Sequence, residues 1–168
     1  KDYITTMDDP HAKRTVMELI EGACPQRVYP VGRLDRNSTG VLLLTNDGEL
    51  TAQLTHPSFK KKKVYQVGLD RKFNPNDFQK LTEGIEIDGE VVKVDAVDYV
   101  EGGDGTELGV EIHSGQNRVV RRMFDALGYG VVKLDRVYFA GLTKKNLPRG
   151  KWRFLTPKEV NMLKMGRF

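Results

Sequence analysis

One carboxylate stands between two guanidiniums at residues 33–36, which read Arg33, Leu34, Asp35, Arg36. Neighbouring positive charge favours the ionised form of a carboxyl and lowers its pKa. An ionised, oriented carboxylate can serve as a nucleophile or can stabilise a positive, sugar-like centre. Asn37, Ser38, Thr39 and Gly40 then turn the chain into the apolar run Val41 to Leu44. The same residue types also suit a loop aspartate in an Asx turn with a surface ion pair, so Asp35 needs support from elsewhere in the chain.

Two other stretches offer that support. The spacing of Val120, Met123, Phe124 and Leu127 predicts a helix over residues 117–127 with one apolar stripe. On that wheel Arg118, Arg121 and Arg122 lie opposite the stripe, a face suited to phosphate or carboxylate binding. The second stretch is the lysine block Lys60, Lys61, Lys62 and Lys63, followed by Tyr65 on an expected strand. A tyrosine so placed can stack on an exposed base, although a half-buried strand residue is its more ordinary role.

Other chemistries lack their residues. The histidines His11, His56 and His113 have no ligand spacing among them, and Cys24 is alone. Asp35, Asn37, Thr39 and Gly40 imitate the start of a calcium loop, but its twelfth position is Asn46, which cannot give a bidentate carboxylate. No nucleophile-elbow, phosphate-loop or dinucleotide glycine pattern occurs.

The elements that must position these residues follow from the pattern of the whole chain. Its 168 residues can form one domain or two closely joined lobes. Strands are expected at residues 3–6, 28–31, 41–45, 62–69, 91–100, 107–113, 131–139 and 152–155. Helices are expected at 15–21, 49–54, 75–82, 117–127 and 157–165. Hairpins alternating with single helices make an α+β protein with a mixed, largely antiparallel sheet. Charge is segregated along the chain. Residues 76–111 carry eleven acids against two lysines, and residues 117–153 carry ten bases against two acids. With a pI near 9.1, that asymmetry points to a polyanionic partner. The longest apolar run is too short for a bilayer, and a lone cysteine suits a reducing cytoplasm.

Three motifs in order carry a resemblance. They are Gly32-Arg33-Leu34-Asp35 with Ser38 and Gly40-Val41-Leu42, then Lys63-Val64-Tyr65, then residues 115–124, GQNRVVRRMF. Together with the tail LDRVYFAGLTKKNLPRGKWRFL, they resemble the bacterial rRNA pseudouridine synthases of the RsuA/RluB type over nearly the whole chain. The resemblance implies a pseudouridine synthase fold with flanking helices and a central catalytic cleft across residues 1–168. It implies isomerisation of an rRNA uridine, large-subunit RNA being favoured, without metal or cofactor. Asp35 would be the essential catalytic residue, Tyr65 would pack against the target uracil, and Arg121 would pair with Asp35. Arg33, Arg36, the block Lys60 to Lys63, Asn117, Arg118 and Arg122 would hold RNA.

The third motif departs from the family pattern at Ser114, Gln116 and Val119. Family members also carry an S4-type RNA-binding domain ahead of the catalytic one. A chain opening Lys1-Asp2-Tyr3 is therefore expected to lack that amino-terminal part. A cytoplasmic monomer is expected, with ribosomal RNA as partner and no membrane. The alternative is a non-catalytic RNA-binding or ribosome-assembly module; a nucleoside glycosidase, a third reading, would release free uracil.

Overall fold

A computed structural model describes residues 15–56, 61–114 and 118–166. The strand and turn expected at residues 3–10 lie outside the described residues. The chain folds as two compact units, one made of Lys1–Lys61 with Tyr138–Phe168, the other of Lys62–Val137. Secondary structure is α+β, with four α-helices among the described residues and mostly antiparallel strands.

In the Lys62–Val137 unit the strand Glu107–Ile112 alternates strictly, and Leu108, Val110 and Ile112 are fully buried. It pairs antiparallel with Lys63–Leu69 on one side and with Ala96–Tyr99 on the other. The strand Val131–Phe139 lies on the far side of Lys63–Leu69, and its residues 131–137 belong to this unit. Helices Phe78–Glu83 and Val119–Ala126 bring Leu81, Val120, Met123 and Phe124 into the same core. Phe73 packs at its centre, with ring centroids 5.0 Å from Phe78, 5.7 Å from Phe124 and 4.8 Å from Tyr129. Truncating one such side chain to alanine costs about 2–5 kcal/mol, so this core holds the sheet rigidly under whatever it presents.

The sequence pattern differs from the structure here in one instructive place. Residues 91–100 are not a single strand. Glu90–Val92 turns back on Ile85–Ile87 through Asp88 and Gly89, both at positive φ (51° and 82°), and Ala96–Tyr99 pairs separately with Glu107–Ile112. An Asp-Gly pair suits such a primed two-residue turn, because glycine adopts positive φ without a Cβ penalty. The helix expected at 117–127 starts at Val119, after Arg118 in the left-handed region.

The other unit holds shorter elements. Tyr29–Pro30 pairs antiparallel with Leu44–Thr45, so the strands expected at 28–31 and 41–45 shrink to two residues each. Thr39–Gly40 forms a further two-residue strand. Residues 15–21 form a 3-10 helix over Val16–Ile20 in place of the expected α-helix. The helix Gly48–Thr55 is capped by Asp47, whose carboxylate accepts from the Leu50 N–H at 3.0 Å. Leu50 and Leu54 from this helix pack with Val31, Leu43, Phe139, Leu142 and Leu163. Leu142–Thr143 pairs back on Phe139 and Tyr138 around Ala140 and Gly141.

Residues 152–155 are not a strand. They have no ladder partner, and Arg153 instead ties them to Glu159 on the terminal helix Pro157–Lys164. Among the described residues no helix is long and apolar enough to cross a membrane.

Candidate active site

Asp35 sits in a tight turn in the Lys1–Lys61 part of its unit. The Ser38 N–H donates to the Asp35 carbonyl at 2.9 Å, and Ser38 is buried beneath the turn. Two residues ahead of that stretch, fully buried Val31 donates its N–H to the Leu43 carbonyl at 2.8 Å. Gly32 follows at φ 73°, a left-handed conformation that lets the chain swing out of the core into the charged stretch. Asp35 is half-buried, while Arg33 and Arg36 on either side are exposed. The apolar residues behind the turn thus fix its backbone, and its three charged side chains lie at or near solvent.

Tyr65 and Arg121 lie in the other unit. Tyr65 shares the core-facing side of its strand with Val67 and Leu69, half-buried against the core cluster. Arg121 does not lie on a solvated helix face with Arg118 and Arg122. It is buried, and its Nη1 donates to the Val131 carbonyl at 3.3 Å, because the helix's arc toward the Val131–Phe139 strand has no solvent to offer it. Arg118 is exposed, and Arg122 forms an ion pair with Asp88 at the tip of the Ile85–Val92 hairpin. The acidic hairpin therefore engages one of the expected phosphate-binding arginines.

The lysine block is also more structural than its run of charge suggests. Lys61 is buried, Lys62 pairs with Glu111 at 3.3 Å, and Lys63 donates to the Ser114 carbonyl at 3.0 Å. Lys60 and Asn117 lie outside the described residues.

Sequence reading missed Arg136. It is 4% exposed, and its guanidinium hydrogen-bonds to the Tyr65 hydroxyl. Burial pulls its pKa below the usual arginine range, and the Tyr65 oxygen partly opposes that shift. The neighbouring strands explain the meeting. Asp70 N–H donates to the Gly130 carbonyl, and Gly68 lies against Lys133 Cβ, so Val131–Phe139 runs opposite to Lys63–Leu69 and carries Arg136 level with Tyr65. The available signal was register: Arg136 falls two residues after Leu134, on the core-facing side of a period-two strand. Among the described residues no cluster of His, Cys, Asp and Glu forms a metal site.

Comparison with known proteins gives consistent matches. A family model described as RNA pseudouridylate synthase matches residues 1–126. An uncharacterized RNA pseudouridine synthase of Aquifex aeolicus (strain VF5) is 36% identical over 163 residues, 96% of this chain and 65% of that protein. Ribosomal large subunit pseudouridine synthase B of Bacillus subtilis (strain 168) is 37% identical over 168 residues, 98% of this chain and 68% of that protein. A crystal structure described as a pseudouridylate synthase superposes with a TM-score of 0.85 at 29% identity, covering 97% of this chain and 70% of that one. The chain spans between about half and two thirds of the length of the curated relatives it matches.

Proposed function

This chain belongs to the RNA pseudouridylate synthase family and has its α+β fold, and on that premise we propose that it converts a specific uridine of ribosomal RNA, in the large subunit, to pseudouridine. The observation that carries the reading is the Asp35 turn: a carboxylate between two exposed guanidiniums, its backbone braced by buried Val31 and Ser38. A binding module needs no braced carboxylate within its basic surface.

The reaction breaks the N1–C1′ bond and forms a C5–C1′ bond on the same base. C5 gives up its proton and N1 gains one, so the product is an isomer of the substrate. Asp35 either attacks C1′ or removes the C2′ proton, and both routes require it ionised. Tyr65, with its hydroxyl held by Arg136, packs against the uracil and helps to take the C5 proton. Arg121, buried in the Lys62–Val137 unit, is the guanidinium that the family resemblance assigns to the catalytic aspartate.

Extruding the uridine from its stack costs a few kcal/mol. Contacts from Arg33, Arg36 and Arg118 to backbone phosphates offset that cost. The family relatives named for the large ribosomal subunit support that RNA as substrate.

Tritium release from C5-labelled uridine in ribosomal RNA transcripts tests the reaction class. Release with pseudouridine as the only product is expected. RNA binding without release would leave a non-catalytic module, and free uracil in the product would make the chain a nucleoside glycosidase.

A further inference from the structure

Trp152 and Phe154 are 42% and 66% exposed, large apolar rings left in solvent. They hold each other edge to face, centroids 5.2 Å apart with planes at 86°. Their segment is anchored where Arg153 forks onto the Glu159 carboxylate, at 2.7 and 2.8 Å. Thr156 then caps the following helix with a reciprocal Glu159 bond. The ring pair is thus presented on a fixed strip of backbone.

The surroundings say what such rings would meet. Residues 142–155 contain no acid and five bases, Lys144, Lys145, Arg149, Lys151 and Arg153, all exposed. Within the same unit, a cavity of about 590 Å³ is walled by Trp152 and Phe154 and also by Leu34 and Ser38, which bracket Asp35 in sequence. Aromatic faces set among bases are the means by which proteins hold unpaired nucleotides, since every base offers a face to stack on and every phosphate a charge to neutralise. An acid-free strip also favours a polyanion over a protein surface of mixed charge.

We infer that Trp152 and Phe154 form a stacking platform for an unpaired RNA base flanking the target nucleotide, with Lys145, Arg149 and Lys151 on the adjoining phosphates. This deepens the proposed function and rests on it: Asp35 selects no sequence, whereas a flanking-base platform beside its turn requires the target to lie in an unpaired stretch.

Trp152 is the chain's one tryptophan, so its emission reports the platform directly. Single-stranded RNA oligonucleotides are titrated into the protein, with end-label anisotropy measuring binding independently and heparin serving as a polyanion without bases. RNA should quench Trp152, and heparin should compete for the protein without quenching. Phe154→Ala should weaken RNA binding about tenfold, and Phe154→Tyr should retain it. At 66% exposure, neither change removes a core contact. RNA that does not bind, RNA that binds with Trp152 emission unchanged, or full affinity in Phe154→Ala would each overturn the inference, leaving the rings to a protein partner. Failure of the catalytic reading registers separately, as no pseudouridine formed by an intact protein whose quenching is normal.

Discussion

The hydroxyl of Tyr65 is held by the guanidinium of Arg136, a side chain 4% exposed on the neighbouring strand. Burying a guanidinium is costly, and hydrogen bonds to it recover part of that cost. The pair therefore fixes one end of the Tyr65 ring while the core face of the strand fixes the other.

That relationship predicts energetic coupling. Tyr65→Phe should destabilise the protein by about 1–3 kcal/mol in urea unfolding, because a buried charged donor loses an acceptor. In a protein already carrying Arg136→Met the same change should cost markedly less, giving a coupling of about 1 kcal/mol. Equal costs in both backgrounds would mean that the two side chains do not act together.

A second network ties Tyr129 to the start of the Phe78–Glu83 helix. The Tyr129 hydroxyl donates to Asp77 at 2.7 Å and accepts from the Asn74 N–H at 3.0 Å. The Tyr129 bond, and then Lys80, hold the Asp77 carboxyl below its ordinary 3.8. A depressed carboxyl contributes stability above its unfolded pKa and loses it as pH falls through the folded value. Tyr129→Phe should cost about 1–2 kcal/mol at neutral pH. The cost should shrink as pH drops below 3.8, where Asp77 takes up its proton, which urea unfolding at pH 7 and pH 3 would reveal.

The terminal helix should carry its own acid sensitivity. Glu159 is held at about 2, well below its ordinary 4.5, first by Arg153 and then by the Thr156 N–H. Its contribution is complete above pH 4.5 and is lost as pH falls from there toward 2. Glu159→Gln should therefore flatten the stability profile across that window, and NMR titration of the Glu159 carboxyl should find its midpoint near the lower end.

Much of this was legible in the residues. The strands expected at 107–113 and 131–139 form as Glu107–Ile112 and Val131–Phe139, and the turn signal Asn46-Asp47-Gly48 stands where the helix Gly48–Thr55 starts. Asp35 drew notice only through the order of three motifs along the chain, each of them weak alone. Arg121 was harder to place. A helical wheel puts it with Arg118 and Arg122, and only the tertiary packing that brings the Val131 carbonyl near shows that it turns inward. Arg136 escaped notice because a charge in a strand reads as a solvent-facing residue until the neighbouring strand and its Tyr65 are known. Trp152 and Phe154 read as strand residues by their type, yet Arg153 between them is committed to Glu159 and no ladder forms.

The most direct test of the central claim is pseudouridine mapping in ribosomal RNA from cells lacking the gene, complemented with the full-length protein either intact or carrying Asp35→Asn. The account predicts one uridine of the large-subunit RNA modified with the intact protein and unmodified with Asp35→Asn. Equal modification by both proteins would contradict the role of Asp35, and no modification by either would contradict the enzyme itself.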